Sequence, residues 1–295
     1  MSEEKDVLAA MLAQYETNNK PKVKNEDAKV YDLKNYFNVF LKEGVNTKQI
    51  QIRILPPLEG SATPFVQMHG HKIKVNGANK IFPCLKHEND EPCPFCEASQ
   101  ALYADGDKEL AKKYNARLYY IVKIIDRDAE EEGVKFWRFP HDYRKEGIFD
   151  KIMGVSSAIK KDITNAENGR DLVLTINRNQ NGFPVVSAVA SLDPTPLSTD
   201  AAQKQAWLSD KRTWEAVYST RNYNYLEIIV KGGTPVWSKD LNCFVDKDSL
   251  TTTEGTSEDN SEITMGLETL KDNVIASTTS STSEAEEEEV DDLPF

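Results

Sequence analysis

Three of the four cysteines in this 295-residue chain, Cys84, Cys93 and Cys96, fall within thirteen positions. Cys93-Pro-Phe-Cys96 is a knuckle: two thiolates three apart on a tight turn can face one cation while backbone amides turn toward the sulfurs. A closed structural zinc site takes four ligands, drawn from thiolate sulfur and imidazole nitrogen. The fourth ligand is therefore expected to be a nearby histidine, and His69, His71 and His87 are the candidates. His87 would have to fold back inside the loop between the first two thiolates. His69 and His71 stand upstream at the end of an apparent strand, the usual place for a closing ligand. The plainer reading, ordinary buried cysteines beside surface histidines, fits poorly with three thiolates so close to imidazoles. A redox pair is disfavoured because no strand leads into Cys93 as a thioredoxin-like motif requires. A catalytic zinc would need an open position and a Glu as general base, and Glu88 and Glu91 lack the spacing of a deaminase or protease motif. The expectation is one structural Zn2+ per chain, with Cys243 a small apolar residue apart from it.

A second group interleaves rings with cations between Tyr114 and Phe149. Arg117, Tyr119, Tyr120 and Lys123 come first, then Lys135, Phe136, Trp137, Arg138 and Phe139, then Tyr143, Arg144 and Lys145. Single-stranded DNA offers stackable bases on a charged backbone, and its binders set aromatic platforms along a basic groove, each worth ~1–3 kcal/mol per base. On a strand Val134–Phe139, Lys135, Trp137 and Phe139 share one face while Val134, Phe136 and Arg138 share the other. One of those faces must be core, so about half of these rings are expected to be packing residues. Arg178-Asn-Gln-Asn-Gly-Phe-Pro184 joins two strand-like runs, which puts Phe183 at a loop tip over the groove or in a hairpin turn as a buried ring.

The elements that must position these groups are mostly short strands. Lys48 to Leu55 alternates strictly, Ile50, Ile52 and Ile54 against Gln49, Gln51 and Arg53, and stops at Pro56-Pro57. Tyr119–Ile125, Val134–Phe139, Leu172–Ile176, Val185–Val189 and Leu226–Val230 read as further strands. Glu97–Asn115, Ile148–Lys161 and Ala201–Tyr218 read as helices. The fold class is mainly β with helical insertions (α+β), and such a pattern suits a small barrel.

The net charge of −12 is unevenly spread. Residues 246–295 hold 15 Asp/Glu against 2 Lys, a net of −13, which leaves 34 Lys/Arg against 33 Asp/Glu, a net of +1, in residues 1–245. A near-neutral core can carry a basic groove if its signs are segregated. The segment beyond Asp246 is polar, of low complexity and strongly acidic, and is expected to be a disordered tail. It closes on Asp291-Asp292-Leu293-Pro294-Phe295. At the other end Leu8, Met11, Leu12 and Tyr15 have helical spacing, and a basic connector runs from Asn18 to Lys24. The expected organisation is an N-terminal arm (1–29), a core (30–245) with a zinc subdomain at about 65–100, and the acidic tail (246–295). No apolar run reaches the ~18 residues of a membrane span. The opening Met1-Ser-Glu-Glu-Lys5 lacks the apolar stretch of a secretory signal, so a reducing cytoplasm is expected. No nucleophile–base pairing, phosphate loop or acidic metal triad stands out, which weighs against an enzyme. The rival reading is a zinc-ribbon interaction or transcription factor whose acidic tail binds polymerase.

Taken in order, Arg53-Ile-Leu-Pro56, His69-Gly70, Cys84 with Cys93-Pro-Phe-Cys96, Lys135-Phe-Trp-Arg-Phe139, Ile148-Phe-Asp-Lys-Ile152 and Gly182-Phe183 form a pattern. It resembles the helix-destabilising single-stranded DNA-binding proteins of T-even bacteriophages, the gene 32 protein family, across residues 45–190. That resemblance implies an OB-fold barrel with an inserted zinc subdomain and DNA in the cleft between them. It implies sequence-nonspecific coating of single strands in phage DNA replication, recombination and repair, in the host cytoplasm. It makes the histidine before Gly the ligand, giving His69, Cys84, Cys93 and Cys96, and places groove aromatics near Tyr119 or Tyr120, at Trp137 and near Phe183. The family's arm carries a basic motif for self-association along DNA, where this chain has Ser2-Glu-Glu4, and Lys20–Lys24 is the available substitute. The last five residues resemble the tip of bacterial single-stranded DNA-binding proteins, which docks into basic, apolar pockets on replication and repair enzymes.

Overall fold

Ile50, Ile52 and Ile54 are sealed from solvent, as their alternation with polar neighbours requires. In the computed structural model, which describes residues 32–250, they lie on the second strand. The N-terminal arm and the segment 251–295, including the tip Asp291–Phe295, fall outside the described residues. Strands predominate, with helices between them. In chain order the strands are β1 (Tyr36–Phe37), β2 (Thr47–Ile54), β3 (Val66–Val75), β4 (Ala78–Pro83), β5 (Ala116–Asp126), β6 (Val134–Pro140), β7 (Arg170–Arg178) and β8 (Pro184–Pro194). They form one sheet in the order β1-β6-β5-β2-β7-β8, with β3 joined to β5 and β4 to β3. β2 pairs with β7 from Thr47 to Ile52 and with β5 from Ile52 to Ile54, so it passes from one neighbour to the other at Ile52.

The three isoleucines pack against Tyr120, Val122 and Ile124 of β5, Trp137 and Phe139 of β6, and Leu172, Leu174 and Ile176 of β7. Ile152 covers this core from a helix. The α-helices are α1 (Leu85–Glu88), α2 (Pro94–Ala104), α3 (Lys108–Tyr114), α4 (Ile148–Ile159), α5 (Ala201–Leu208), α6 (Trp214–Val217), α7 (Tyr223–Val230) and α8 (Lys247–Leu250). A second apolar cluster gathers around the cysteine knuckle: Phe82, Leu85, Phe95, Leu102, Leu110 and Tyr114, joined by Leu226 and Ile229 of α7. A separate hairpin, β9 (Pro235–Ser238) with β10 (Cys243–Asp246), follows α7. Among the described residues no helix is long and apolar enough to cross a membrane.

The structure differs from the sequence reading in three places. Leu226–Val230, expected as a strand, is the second half of α7. The Asn222 side chain accepts from the Tyr225 amide and starts a helix that buries Leu226 and Ile229 three apart. The helix expected over Glu97–Asn115 is two helices, parted at Gly106, whose φ of +88° no α-helix accommodates. Ala201–Tyr218 is likewise broken between α5 and α6. The β3–β4 hairpin had its own signal in Asn76-Gly77, both at positive φ (52° and 84°) as a tight hairpin turn demands.

Candidate metal centre and nucleic-acid cleft

The metal-ligating side chains meet where the β3–β4 hairpin faces the start of α2. Cys84 follows β4, and its amide donates to the His69 carbonyl at 2.9 Å, which pins the first thiol beside β3. Pro94 opens α2 one residue after Cys93, a favoured place for proline because its missing N–H would have no helical partner. The first turn of α2 then returns Cys96 toward Cys93. His71 comes from β3, opposite Phe82 of β4 and Ala116 of β5. Its Nε2 lies 3.4 Å from Cys93 Sγ and 3.7 Å from Cys96 Sγ, and Cys96 Sγ lies 3.5 Å from Cys84 Sγ. All four donor atoms fall within 4.8 Å of one another, so His71, Cys84, Cys93 and Cys96 could hold a metal ion.

The thiols and the imidazole shift one another's protonation. Hydrogen bonds from Cys84 and Cys96 draw the Cys93 thiol well below its ordinary range, while hydrogen bonds to Cys84 and Cys93 push Cys96 above it. Burial opposes charging of the His71 ring, yet its hydrogen bonds to Cys84 and Cys93, with their charge, carry its pKa up to about 9. The Tyr114 carbonyl at the end of α3 lies 2.7 Å from His71 Nδ1. A carbonyl only accepts, so Nδ1 carries the proton and Nε2 turns to the sulfurs, the arrangement by which a second partner fixes a ligating imidazole.

This corrects the assignment of His69. Both histidines project from the same face of β3, two residues apart, but only His71 reaches the knuckle, where its ring packs 5.1 Å from Phe95. The His69 ring lies over α1, with Nδ1 3.2 Å from Glu88 Oε1, and stacks on His87 at 4.7 Å. His87 Nδ1 is 3.1 Å from Cys84 Sγ and borders the cluster from outside. Cys243 sits apart on β10.

On the other side of β3 and β5 lies a cleft of about 430 Å³. Its walls are Phe37, Asn38 and Val39; Lys72 and Ile81; Arg117 and Tyr119; the run Trp137 to Arg144; Glu146 to Ile148 with Lys151; and Pro184 to Val186. Five cations (Lys72, Arg117, Arg138, Arg144, Lys151) face two carboxylates (Asp142, Glu146), a net of +3. The segregation of signs that the near-neutral core required is therefore present. The rings come from both faces of β6 and its neighbours. Trp137 and Phe139 form the floor, with Phe37 edge-on to Trp137 at 5.4 Å. Arg138 lies on the opposite face, buried, 4.4 Å from the Tyr218 ring centroid and 5.8 Å from that of Tyr119.

Of the residues expected on DNA, the cleft brings together Arg117, Tyr119, Trp137, Arg138 and Phe139. Phe183 stands at its edge, exposed, directly before the lining residue Pro184. Three others do not line it. Tyr120 faces the core and stacks on Phe149 at 4.2 Å. Lys123 donates to the Asp210 carbonyl at 2.7 Å and lies 3.4 Å from its carboxylate. Lys135 is held by Asp126 at 3.2 Å and Glu132 at 2.7 Å. Each of these lysines reaches an acid on the sheet or in a later loop before it can reach solvent. Lys72 and Lys151 were missed because both lie outside the ring-and-cation run and are carried to the cleft by β3 pairing and by α4. Tyr143 and Arg144, named in the ring-and-cation run, line the cleft as well.

The profile of the family described as gp32 DNA binding protein like matches residues 45–229. The chain belongs to this gp32-like DNA-binding family. No curated protein matches it. The gp32-like span runs through β2, the whole metal cluster and all the cleft walls except those from Phe37 to Val39, and ends within α7. DNA binding is thus the family's property, and the two constellations read from the sequence both lie inside the matched region.

Proposed function

We propose that the cleft binds single-stranded DNA without base-sequence preference, and that the protein coats transient single strands in DNA replication, recombination and repair. The observation that carries this reading is a cleft of net charge +3 in a DNA-binding chain, with the exposed ring of Tyr143 on its wall and buried rings beneath. The cations neutralise phosphates and release counterions, so affinity falls steeply with salt. Stacking rings favour unpaired bases, because every base presents a π-face only when it is free of the duplex stack. On this reading the sheet from β1 to β8 is an OB-type barrel.

The metal is Zn2+, one per chain, in a structural role. For tetrahedral zinc with Zn–S of ~2.3 Å and Zn–N of ~2.0–2.1 Å, the edges are roughly 3.8 Å between sulfurs and roughly 3.6 Å between sulfur and nitrogen. The separations of 3.5 Å for Cys84–Cys96 and of 3.4 and 3.7 Å for His71 to Cys93 and Cys96 fit that frame. His71, Cys84, Cys93 and Cys96 fill the four positions of a closed structural site. Zinc would supply the cross-link that holds α2 to the β3–β4 hairpin, with Nδ1 of His71 kept on Tyr114.

The segment 251–295 carries 13 Asp/Glu and 1 Lys. Its charge competes with DNA for the cleft at low salt, and its tip Asp291–Phe295 recruits replication and recombination enzymes once DNA displaces it. Removing residues 251–295 spares Asp246, whose Oδ1 accepts from the Thr234 amide at 3.0 Å in the last hairpin. That truncation is expected to tighten DNA binding at low salt and to leave it unchanged at high salt; equal affinity at every salt concentration sinks the competition.

The direct test of the whole reading is quenching of Trp and Tyr fluorescence by poly-dT across salt concentrations, with a duplex control. Strong quenching by dT, a weak response to duplex and a steep salt slope are expected. No quenching at low salt in a metal-loaded sample overturns it in favour of a zinc-ribbon interaction protein.

A further inference from the structure

Phe40 is 57% exposed and belongs neither to the sheet core nor to the cluster around the cysteine knuckle. It continues the segment Phe37-Asn38-Val39 that lines the cleft, as Phe183 precedes the lining segment Pro184-Val185-Val186. Two exposed rings thus follow directly from two cleft walls. Lys48 Nζ stands 5.7 Å from the centroid of the Phe40 ring, within cation–π reach. Lys48 lies on the core-facing side of β2, one step beyond Ile50, where the core gives way to solvent. Lys42 is exposed two residues after Phe40.

The backbone carrying both rings is fixed. Arg178, at the end of β7, donates from Nε to the Val45 carbonyl at 3.1 Å and from Nη2 to the Lys42 and Leu41 carbonyls at 3.0 and 3.4 Å. Its Nη1 donates to the Gly182 carbonyl at 2.7 Å, next to Phe183. One guanidinium therefore ties the loop after Phe40 to the turn before Phe183. Asn179 Oδ1 accepts from the Phe183 amide at 2.9 Å, which holds that turn from inside. Rings on a tied backbone cost less ordering when they bind than rings on a free loop.

We propose that Phe40, with Lys42 and Lys48, is a further nucleotide-binding position that carries the strand beyond the mouth of the cleft. The inference rests on the single-strand reading of the cleft and assigns one more stacking platform with its own phosphate contacts. Its occupant is the same DNA strand, because the patch continues the cleft and repeats its pairing of ring with cation.

The test compares full-length wild type, Phe40→Ala and Phe40→Trp on oligo-dT of about 5 and about 10 nucleotides, lengths within the footprint of a single barrel. Phe40→Ala is expected to weaken binding of the longer oligonucleotide roughly 5- to 30-fold and of the shorter one by less than about twofold. Emission from Phe40→Trp in excess of wild type should be quenched by the longer oligonucleotide only. Wild-type affinity of Phe40→Ala for both lengths, with the added emission unmoved, overturns the proposal. Equal weakening on both lengths also overturns it, since Phe40 would then belong to the cleft itself. Failure of wild type to bind either length is a different result, and strikes the single-strand reading instead.

Discussion

Replacing His71 by alanine separates the two histidines that the sequence could not. The substitution removes the Nε2 donor that lies 3.4 Å from Cys93 Sγ and 3.7 Å from Cys96 Sγ. Loss of an outer hydrogen bond to a ligating histidine alone weakens metal binding ~10–100-fold. Loss of the ligand itself is expected to weaken it at least 100-fold, or about 2.7 kcal/mol. At fixed free metal that weakening passes into folding stability, because the ion binds the folded chain. The Tyr114 carbonyl, deprived of its donor at 2.7 Å, adds ~1–3 kcal/mol for a buried acceptor left without a partner. The sum is ~4–6 kcal/mol, and at ~2–4 °C per kcal/mol for a domain of this size the unfolding midpoint falls by roughly 10–20 °C. His69 is expected to behave differently, since its ring contacts Glu88 and His87 and its side chain is 38% exposed. His69→Ala should keep its metal and lose under ~1 kcal/mol. The assay is elemental analysis after dialysis against a graded chelator, with thermal unfolding in parallel. Full metal retention by His71→Ala, or metal loss by His69→Ala, refutes the ligand set.

Three other outcomes follow from the same geometry. Arg117→Ala in the cleft should weaken poly-dT binding and lower the slope of log affinity against log salt by roughly 0.7, the share of one phosphate contact on a single strand; an unchanged slope removes Arg117 from the interface. Lys135→Ala should leave that slope untouched but cost ~1–3 kcal/mol in denaturant unfolding, because Asp126 and Glu132 lose their common donor. Asp171 gives a pH dependence. Burial pushes its carboxyl up, but hydrogen bonds from Arg127 and Gln51 and the charges of Arg127 and Arg53 outweigh burial and hold it below the usual range. Its stabilising contribution is therefore present above the unfolded value of ~4 and is lost as pH falls through the lower folded value. Asp171→Asn should abolish that part of the acid transition and, by leaving the fully buried Arg53 without its anion, cost ~3–5 kcal/mol at neutral pH.

What could be read in advance depended on how local the cause was. The alternation of Ile50, Ile52 and Ile54 places β2, and the knuckle Cys93–Cys96 with nearby Cys84 names three ligands, because strand pleat and helix turn act over a few residues. His69 and His71 share a pleat face, so alternation cannot choose between them. The choice is made by the Tyr114 carbonyl, 43 positions along the chain. Lys123 looked like a groove cation until Asp210, 87 positions away, took its ammonium. Leu226–Val230 is a short apolar run that suits strand and helix equally, and only the Asn222 cap and the packing of Leu226 and Ile229 on the knuckle cluster decide for the helix. On β6, alternation correctly divided Trp137 and Phe139 from Arg138, yet the cleft uses both faces of that strand, which no pattern of period two conveys.

The hold of Arg178 on the 41–46 loop has a consequence for how this region can change. Its contacts there are all to carbonyl oxygens, at Leu41, Lys42 and Val45. Every residue type supplies a carbonyl, so the identities at 42, 43 and 45 are invisible to the clamp. Charge, size and aromaticity at those positions can drift between related chains while the loop keeps its path, whereas position 178 is bound to its residue type by the clamp and Gly44 by its φ of +76°. A rim whose shape is written in main chain and whose side chains are free to be exchanged is a place where the reach of a binding surface can be lengthened, shortened or recharged without refolding what lies beneath it.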